Sequence, residues 1–476
     1  MKTIIVSITI FLLTVMNLVA DYAVIVSEKA NADPDWKRVA EALRKKHSAT
    51  VITYTSNVIE ALPKLREQFP RYACFVATPA EAGREFVADV HRLTRRLDDD
   101  PYTDVFWGIL TGYDATAALR IVNEHKPLTV RTAAAGTNIP LDFFEEGIWC
   151  DEGRQSHGVR KEKNARPVDV SVPPDTTSLL ARSLSESQTD LFVTSGHATE
   201  RDWQIGYSYR NGQFRCENGS LYGLDTRGQK TVIQSANPKV YLPVGNCLMG
   251  HVDGRDAMAV AFMNSGGVNQ MIGYTVNTWY GYSGWGVLDY FVEQPGRYTL
   301  SEAFFANHTA LLHRLSEYFP DLLRVEFPIN NMQPFPRVTP QLTDAARAAG
   351  LRAQDGIGLL YDRDVVAFYG DPAWEARLAK QDLPWEQTLI ETHGNFTFEV
   401  KPLLGEKSFG LTNGNGSQRG NRPFIHFFPR RLRDFQITEG EDLRPVLTDD
   451  FILVPRPTGL DGTKPLRVVF RAQKGK

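Results

Sequence analysis

The chain has 476 residues, with 53 basic against 56 acidic side chains, 42% hydrophobic residues and four cysteines; at roughly 100–200 residues per domain this length holds two to four domains with well-packed cores. A formal charge of −3 gives no general attraction to nucleic acid or anionic membranes. A charged fraction of 23% with 11% aromatics excludes wholesale disorder and coiled coil, and four cysteines exclude a disulfide scaffold.

Lys2 is the only charged residue among the first twenty. Ile4 to Val15 is apolar apart from Ser7, Thr9 and Thr14, and Leu18-Val19-Ala20 places a small residue before Asp21. That layout is a cleaved secretory signal peptide over 1–20; an uncleaved anchor is the other reading, because twenty residues approach the length that spans a bilayer. The expectation is an exported protein, secreted, periplasmic or at the cell surface, with no stable membrane insertion after cleavage.

From Asp21 to about Val122, apolar runs alternate with helical patterns. Tyr22-Ala-Val-Ile-Val reads as a strand and Trp36 to Lys46 as an amphipathic helix. Thr50-Val-Ile-Thr-Tyr pairs with a helix over Ile59 to Phe69, and Tyr72-Ala-Cys-Phe-Val-Ala with one near Ala80 to Leu97. Asp104 to Leu110 and a helix after Asp114 complete the series. Strands separated by such helices imply right-handed crossovers and a parallel sheet covered on both faces. No glycine-rich phosphate loop follows any of them, so a nucleotide site is not indicated.

Lys126 to Thr177 has weaker periodicity and many breakers, and reads as long loops between two sheets. The α/β alternation resumes with a helix over Leu179 to Leu184 and strands at Thr189-Asp-Leu-Phe-Val-Thr and Pro238-Lys-Val-Tyr-Leu-Pro-Val. A helix over Ala257 to Asn264, a strand over Val268 to Tyr274 and a helix opening at an N-cap Ser301 follow. Beyond Tyr369-Gly-Asp-Pro, Phe396-Thr-Phe-Glu-Val, Phe424-Ile-His-Phe-Phe, Phe451-Ile-Leu-Val and Leu466-Arg-Val-Val-Phe are short strands without helices between them. Leu411-Thr-Asn-Gly-Asn-Gly-Ser supplies turn chemistry between two of them. The expected division is a signal peptide over 1–20, an α/β subdomain over 21–128, an α/β catalytic domain over 129–382 and a β-sandwich over 383–476.

Two segments place a reactive side chain just past a buried strand: Leu191-Phe-Val-Thr-Ser-Gly-His197-Ala198 and Val240-Tyr-Leu-Pro-Val-Gly-Asn-Cys247. Carboxyl ends of parallel strands are where loops expose side chains to ligands. If the strands are near neighbours, His197 and Cys247 meet at one rim, where an imidazole can raise the thiolate fraction of a cysteine nucleophile. Taken singly, each residue reads more simply as structural: a small core thiol, a hydrogen-bonded histidine. As a pair at strand ends, with His 50 residues before Cys, they match the order and separation known for caspases, without the local caspase signature.

Five stretches in order carry a resemblance. Thr194-Ser-Gly-His-Ala-Thr-Glu-Arg-Asp-Trp203 is similar to a T-G-H-G-S-x-T-A-W segment, and Gly245-Asn-Cys-Leu-Met-Gly250 to A-C-x-x-G. Gly266 to Trp279 is similar to a strand and Trp-bearing specificity loop, Asp98 to Gly112 to an acidic turn and strand, and Phe368-Tyr-Gly-Asp-Pro-Ala373 to F-G-D-P. The chain resembles, over about 21–375, the gingipain-type cysteine peptidases, which share the caspase-like fold. The resemblance implies an α/β caspase-like catalytic region preceded by a smaller α/β subdomain and followed by a small all-β, immunoglobulin-like domain. It implies Cys247 as nucleophile, His197 as general acid/base, an oxyanion hole from the backbone N–H groups of Ala198 and Cys247, and Trp279 in the substrate pocket, with Trp203 a second candidate there.

The sequence departs from the pattern in places. Ala198 stands where the family has Gly, residues 204–237 make a long His-to-Cys connection, and Ala133 to Asn138 holds no carboxylate to orient the histidine. Asp142, Glu145, Glu146, Asp151 and Glu152 are unranked substitutes, and no acid is assigned to a basic-residue pocket. The expected activity is an exported cysteine endopeptidase acting on protein or peptide substrates through an acyl-enzyme. The alternative is a non-catalytic surface or envelope binding protein on the same fold. No cofactor is required. Asp98 to Asp100 reads either as a solvated turn or as hard oxygen ligands for Ca²⁺. Cys247 and His251 lack further ligands for zinc, and Cys150 and Cys216 form a candidate disulfide in an oxidising compartment.

Overall fold

The computed structural model describes residues 21–410, 413–457 and 461–475. The signal-peptide expectation therefore lies outside the described residues, as do Leu411 and Thr412 of the Leu411–Ser417 turn. Among the described residues no helix is long and apolar enough to cross a membrane.

Twelve strands build one central sheet: β1 (Tyr22–Ser27), β2 (Thr50–Tyr54), β3 (Tyr72–Val76), β4 (Phe106–Leu110), β5 (Thr132–Ala135), β6 (Glu146–Cys150), β7 (His157–Lys161), β8 (Val168–Ser171), β9 (Leu191–Thr194), β10 (Lys239–Pro243), β11 (Val268–Tyr274) and β12 (Val366–Tyr369). Their order is β2-β1-β3-β4-β12-β11-β10-β9-β5-β6-β7-β8. Pairing is parallel except where β12 runs against β11 and where β7 and β8 close the far edge as antiparallel strands. The two α/β stretches thus share one sheet and one core, joined where Tyr369 of β12 pairs with Ile109 of β4.

The central strands form because both faces are covered. Every residue of β1, β4, β9, β10 and β11 is buried, which is why they read as largely apolar runs rather than alternating ones, with Lys239, Asn269 and Gln270 the buried polar exceptions in β10 and β11. Some of the helices between them start at side-chain caps. Asp33 accepts from the N–H groups of Asp35 and Trp36 ahead of Pro34 at the first turn of Pro34–His47, and Asp114 accepts from Ala117 N at the start of Ala115–Val122.

Two expectations need correction, and the candidate disulfide is not formed. Lys126 to Thr177 is not looped out but supplies β5 to β8 of the main sheet; β5 is nearly all alanine and β8 is an exposed edge, so neither carries an apolar run. The helix expected to be capped by Ser301 spans Leu300–Tyr318 and is capped by Thr299. Glu302 closes the capping box by accepting from the Thr299 N–H, and Ser301 is buried one residue inside. All four cysteines are free, with Cys150 buried in β6 and the Cys216 thiol donating to Asp256 O at 2.9 Å. The long 204–237 connection is a small antiparallel sheet of Asp202–Gln204, Gln213–Glu217, Ser220–Leu224 and Lys230–Ile233.

The C-terminal region is all β. A four-stranded antiparallel sheet (Trp385–Thr392, Asn395–Pro402, Leu432–Glu439, Leu466–Lys474) shares a core with a three-stranded one (Phe424–Phe427, Val446–Leu447, Phe451–Val454). The smaller sheet is buried on both faces: Phe424, Ile452 and Val454 enter the sandwich core, while Ile425, Phe451 and Leu453 enter the α/β core. Tyr290 and Tyr298 donate to the carbonyls of Pro423 and Ile425 across the join, at 3.0 and 2.6 Å.

Candidate active site

β9 and β10 are hydrogen-bonded parallel neighbours, with Thr194 opposite Pro243. His197 stands three residues past the end of β9 and Cys247 four past the end of β10, so both emerge at one rim. Asn246, fully buried, ties the two turns together: its carbonyl accepts from the Thr194 hydroxyl at 2.6 Å and its amide donates to Gly196 O at 3.1 Å. The Cys247 thiol, half-buried, accepts from Thr278 N at 3.3 Å, and the Thr278 hydroxyl donates to Asn246 O at 3.0 Å. The loop carrying Trp279 is thereby fastened beneath the sulfur.

The departure at Ala198 is accommodated. The left-handed position of this turn is Gly196, at φ +93°, and Ala198 keeps a negative φ, so its methyl adds no backbone strain. Ala198 bridges Trp203 in a short antiparallel pair, with Gln204 N donating to His197 O at 2.9 Å. Among the described residues neither the Ala198 N–H nor the Cys247 N–H has an acceptor. Leu248, next to the cysteine, is held at φ +56°, a conformation uncommon for a bulky side chain. Gly250 permits close passage of the loop over β11: a Cβ there would lie 2.1 Å from Gly273 O.

Of the five acids, Glu152 is the one that hydrogen-bonds the turn before His197. Its carboxylate accepts from the Ser195 and Thr137 hydroxyls, and its backbone carbonyl accepts from Tyr207 N and Ser208 N. Tyr207 in turn stacks on the His197 ring with centroids 5.0 Å apart. Glu152 thus holds both the segment before His197 and the ring that packs on it. Burial raises its carboxyl above the usual range. Asp151 instead pairs with His157 in β7, and Glu145 with Arg131. Among the described residues no side chain hydrogen-bonds the His197 imidazole.

The two tryptophans separate. Trp279 is 40% exposed beside Phe335 and Tyr361, with ring centroids 5.2 and 5.6 Å away, and offers an apolar wall near Cys247. Trp203 is fully buried, its indole N–H donating to Ser195 O at 2.8 Å, so it supports the histidine turn from within rather than lining a cleft. An open groove of about 860 Å³ runs from the carboxyl ends of β1 and β2 to His251 and Met332; Met332 O accepts from Asn277 N at 2.8 Å.

Zinc at Cys247 and His251 does not fit: both ring nitrogens of His251 face the Arg84 guanidinium, and burial plus that cation push the imidazole down to about 4. Asp98, Asp100 and Asp104 do converge, with one oxygen of each within 4.8 Å of the others, at the amino end of β4. Burial and Asp98 push the Asp100 carboxyl up to about 7.

Asp362 was not singled out by the sequence. At the end of helix Ala353–Asp362, fully buried, it accepts from Tyr274 Oη and Ser283 N, both at 3.0 Å, under the start of helix Tyr282–Phe291. Burial raises its carboxyl to about 7. A folded value above the unfolded one means the native state keeps the proton longer, so this contribution to stability falls as pH rises from roughly 4 to 7. Asp362→Asn should match the parent near pH 4 and exceed it at pH 8 by about 4 kcal/mol or less. Urea unfolding at both pH values checks this; an equal difference at both would refute it.

No family model and no curated protein matches the chain. Among solved structures it is similar to a complex of the Porphyromonas gingivalis RgpB pro- and mature domains, at 11% identity and a TM-score of 0.43, covering 95% of this chain and 99% of that one. It is also similar to a structure of a protease, at 9% identity and a TM-score of 0.42, covering 80% of this chain and 84% of that one. Likeness at this level fixes neither family nor chemistry.

Proposed function

We propose that the chain is a cysteine-type endopeptidase, with Cys247 as nucleophile and His197 as general acid/base. The observation that carries the reading is the delivery of both side chains to one rim by paired parallel strands, with Asn246 linking their turns. His197 takes the thiol proton as sulfur attacks the peptide carbonyl and a C–S bond forms. The oxyanion meets the unpartnered N–H groups of Ala198 and Cys247, whose fixed dipoles favour developing charge. His197 then protonates the leaving amine as the C–N bond breaks, and later takes a proton from the water that hydrolyses the thioester. Trp279 lines the substrate pocket. Catalysis needs no cofactor; a calcium ion at Asp98, Asp100 and Asp104 would brace the amino end of β4 and take no part in the step.

Glu152 acts through the Ser195 turn and Tyr207. Glu152→Gln loses a carboxylate that accepts two hydroxyl protons, and kcat should fall about 10-fold with KM little changed; equal kcat would remove Glu152 from the mechanism. One observation favours the non-catalytic alternative: the His197 imidazole has no hydrogen-bonding side chain among the described residues. Catalytic hydrogen bonds often tighten only around substrate, so the deciding test is turnover. A diverse peptide library under mild reductant, with and without calcium, should be cleaved, and iodoacetamide should stop the cleavage. No cleavage under any of these conditions would leave a binding scaffold.

A further inference from the structure

The C-terminal domain sends one loop, 413–422, up to the catalytic rim. Arg419 and Arg422 fasten it: both donate from Nε to the buried Asp289 carboxylate, at 2.6 and 2.8 Å, and Gly420 N donates to the same group at 3.0 Å. Arg419 also pairs with Glu293 and donates to Asn415 O at 2.7 Å.

We propose that this loop is a working part of the site, in which Asn415 and Gly416 are positioning residues for the turns carrying His197 and Cys247; the proposal rests on those two residues being the reacting pair. One route runs to the histidine. The Asn415 amide donates to Thr137 Oγ1 at 2.9 Å and to Asn138 O at 3.1 Å. Thr137 passes its single hydroxyl proton to Glu152 at 2.7 Å, and Glu152 accepts from Ser195, two residues before His197. A hydroxyl has one proton to give, so Thr137 can donate to the carboxylate and still be satisfied on its other side only by a donor, which Asn415 supplies. The second route runs to the cysteine. Gly416, at φ +99°, lies flat on the Trp285 indole, where a Cβ would be 2.2 Å from Cε3. The same indole lies against Gly245, where a Cβ would be 2.8 Å from Nε1, two residues before Cys247. One loop thus supports both turns, each at the same short remove from the reacting side chain.

The test uses the full chain with Asn415→Ala, Asn415→Asp and Gly416→Ala, beside Val468→Ala, which loosens the buried sandwich core away from the loop. Amide hydrogen exchange should rise about 10-fold at 195–198 in both Asn415 variants and at 245–248 in Gly416→Ala. Peptide kcat should fall with KM held, and Val468→Ala should reproduce neither effect. Unchanged exchange at 195–198 in a folded Asn415→Ala variant, or the same changes in Val468→Ala, would overturn the proposal. If Gly416→Ala does not fold, the Asn415 pair decides alone. If the parent cleaves no peptide, the peptidase reading fails and the exchange pattern still accepts or rejects the brace.

Discussion

Cys247→Ala should lower peptide kcat/KM by about 10³-fold or more, His197→Ala should cost a similar factor, and the double variant should be little worse than either. The non-additivity follows from the chemistry: a thiol without its base and a base without its thiol each leave the same residual, substrate binding plus two backbone donors. Neither change should unfold the protein. His197 is exposed and Cys247 half-buried at a turn, so each substitution removes few packed contacts. Steady-state kinetics with thermal unfolding as control checks this. Full turnover in His197→Ala would hand the proton-transfer role to another group; full turnover in Cys247→Ala would end the assignment.

The fold was legible where burial is two-sided. β1, β3, β9, β10 and β11 read as strands because parallel strands covered on both faces are largely apolar, and the residues past β9 and β10 point to His197 and Cys247. β5 carries no such signal, for the opposite reason. Ala133, Ala134 and Ala135 have low strand propensity, and the residue after them, Gly136, leaves room for Trp203, where any Cβ would sit 2.5 Å from the indole. The same packing hides the role of Trp203, since an aromatic six residues past a candidate histidine looks alike in sequence whether it faces substrate or core. Glu152 is one of five acids that the sequence does not rank, because only the third dimension brings Ser195, Thr137 and Tyr207 to it. Asn415 left no signal at all: its Asn-Gly setting reads as turn chemistry, and it follows Cys247 by 168 residues.

The C-terminal domain was expected as a module after the catalytic region, and its docking leads to the second large effect. Asp289→Ala should destabilise the whole chain by about 3–5 kcal/mol, because it leaves the buried guanidinium groups of Arg419 and Arg422 short of the carboxylate they share. Glu293 still pairs with Arg419, and Arg422 keeps the face of the Tyr282 ring at 3.7 Å, so the loss stays below that of two isolated buried charges. The exposed pair Arg38–Asp35, with both side chains 66% exposed, makes the contrast: Asp35→Ala should change stability by about 1 kcal/mol or less. Both are read by urea unfolding of the full chain. Because the Phe424–Phe427 sheet is buried between the sandwich and α/β cores, the parent should unfold in one transition that Asp289→Ala shifts as a unit. An early separate transition of the C-terminal domain, with the rest unmoved, would mean that the shared core does not couple the two. A buried ion cluster is a weak source of net stability compared with apolar packing of the same volume, so its value here lies in register. Two arginines on one loop close on one aspartate on one helix, and that seating sets Asn415 against Thr137 and Gly416 against Trp285.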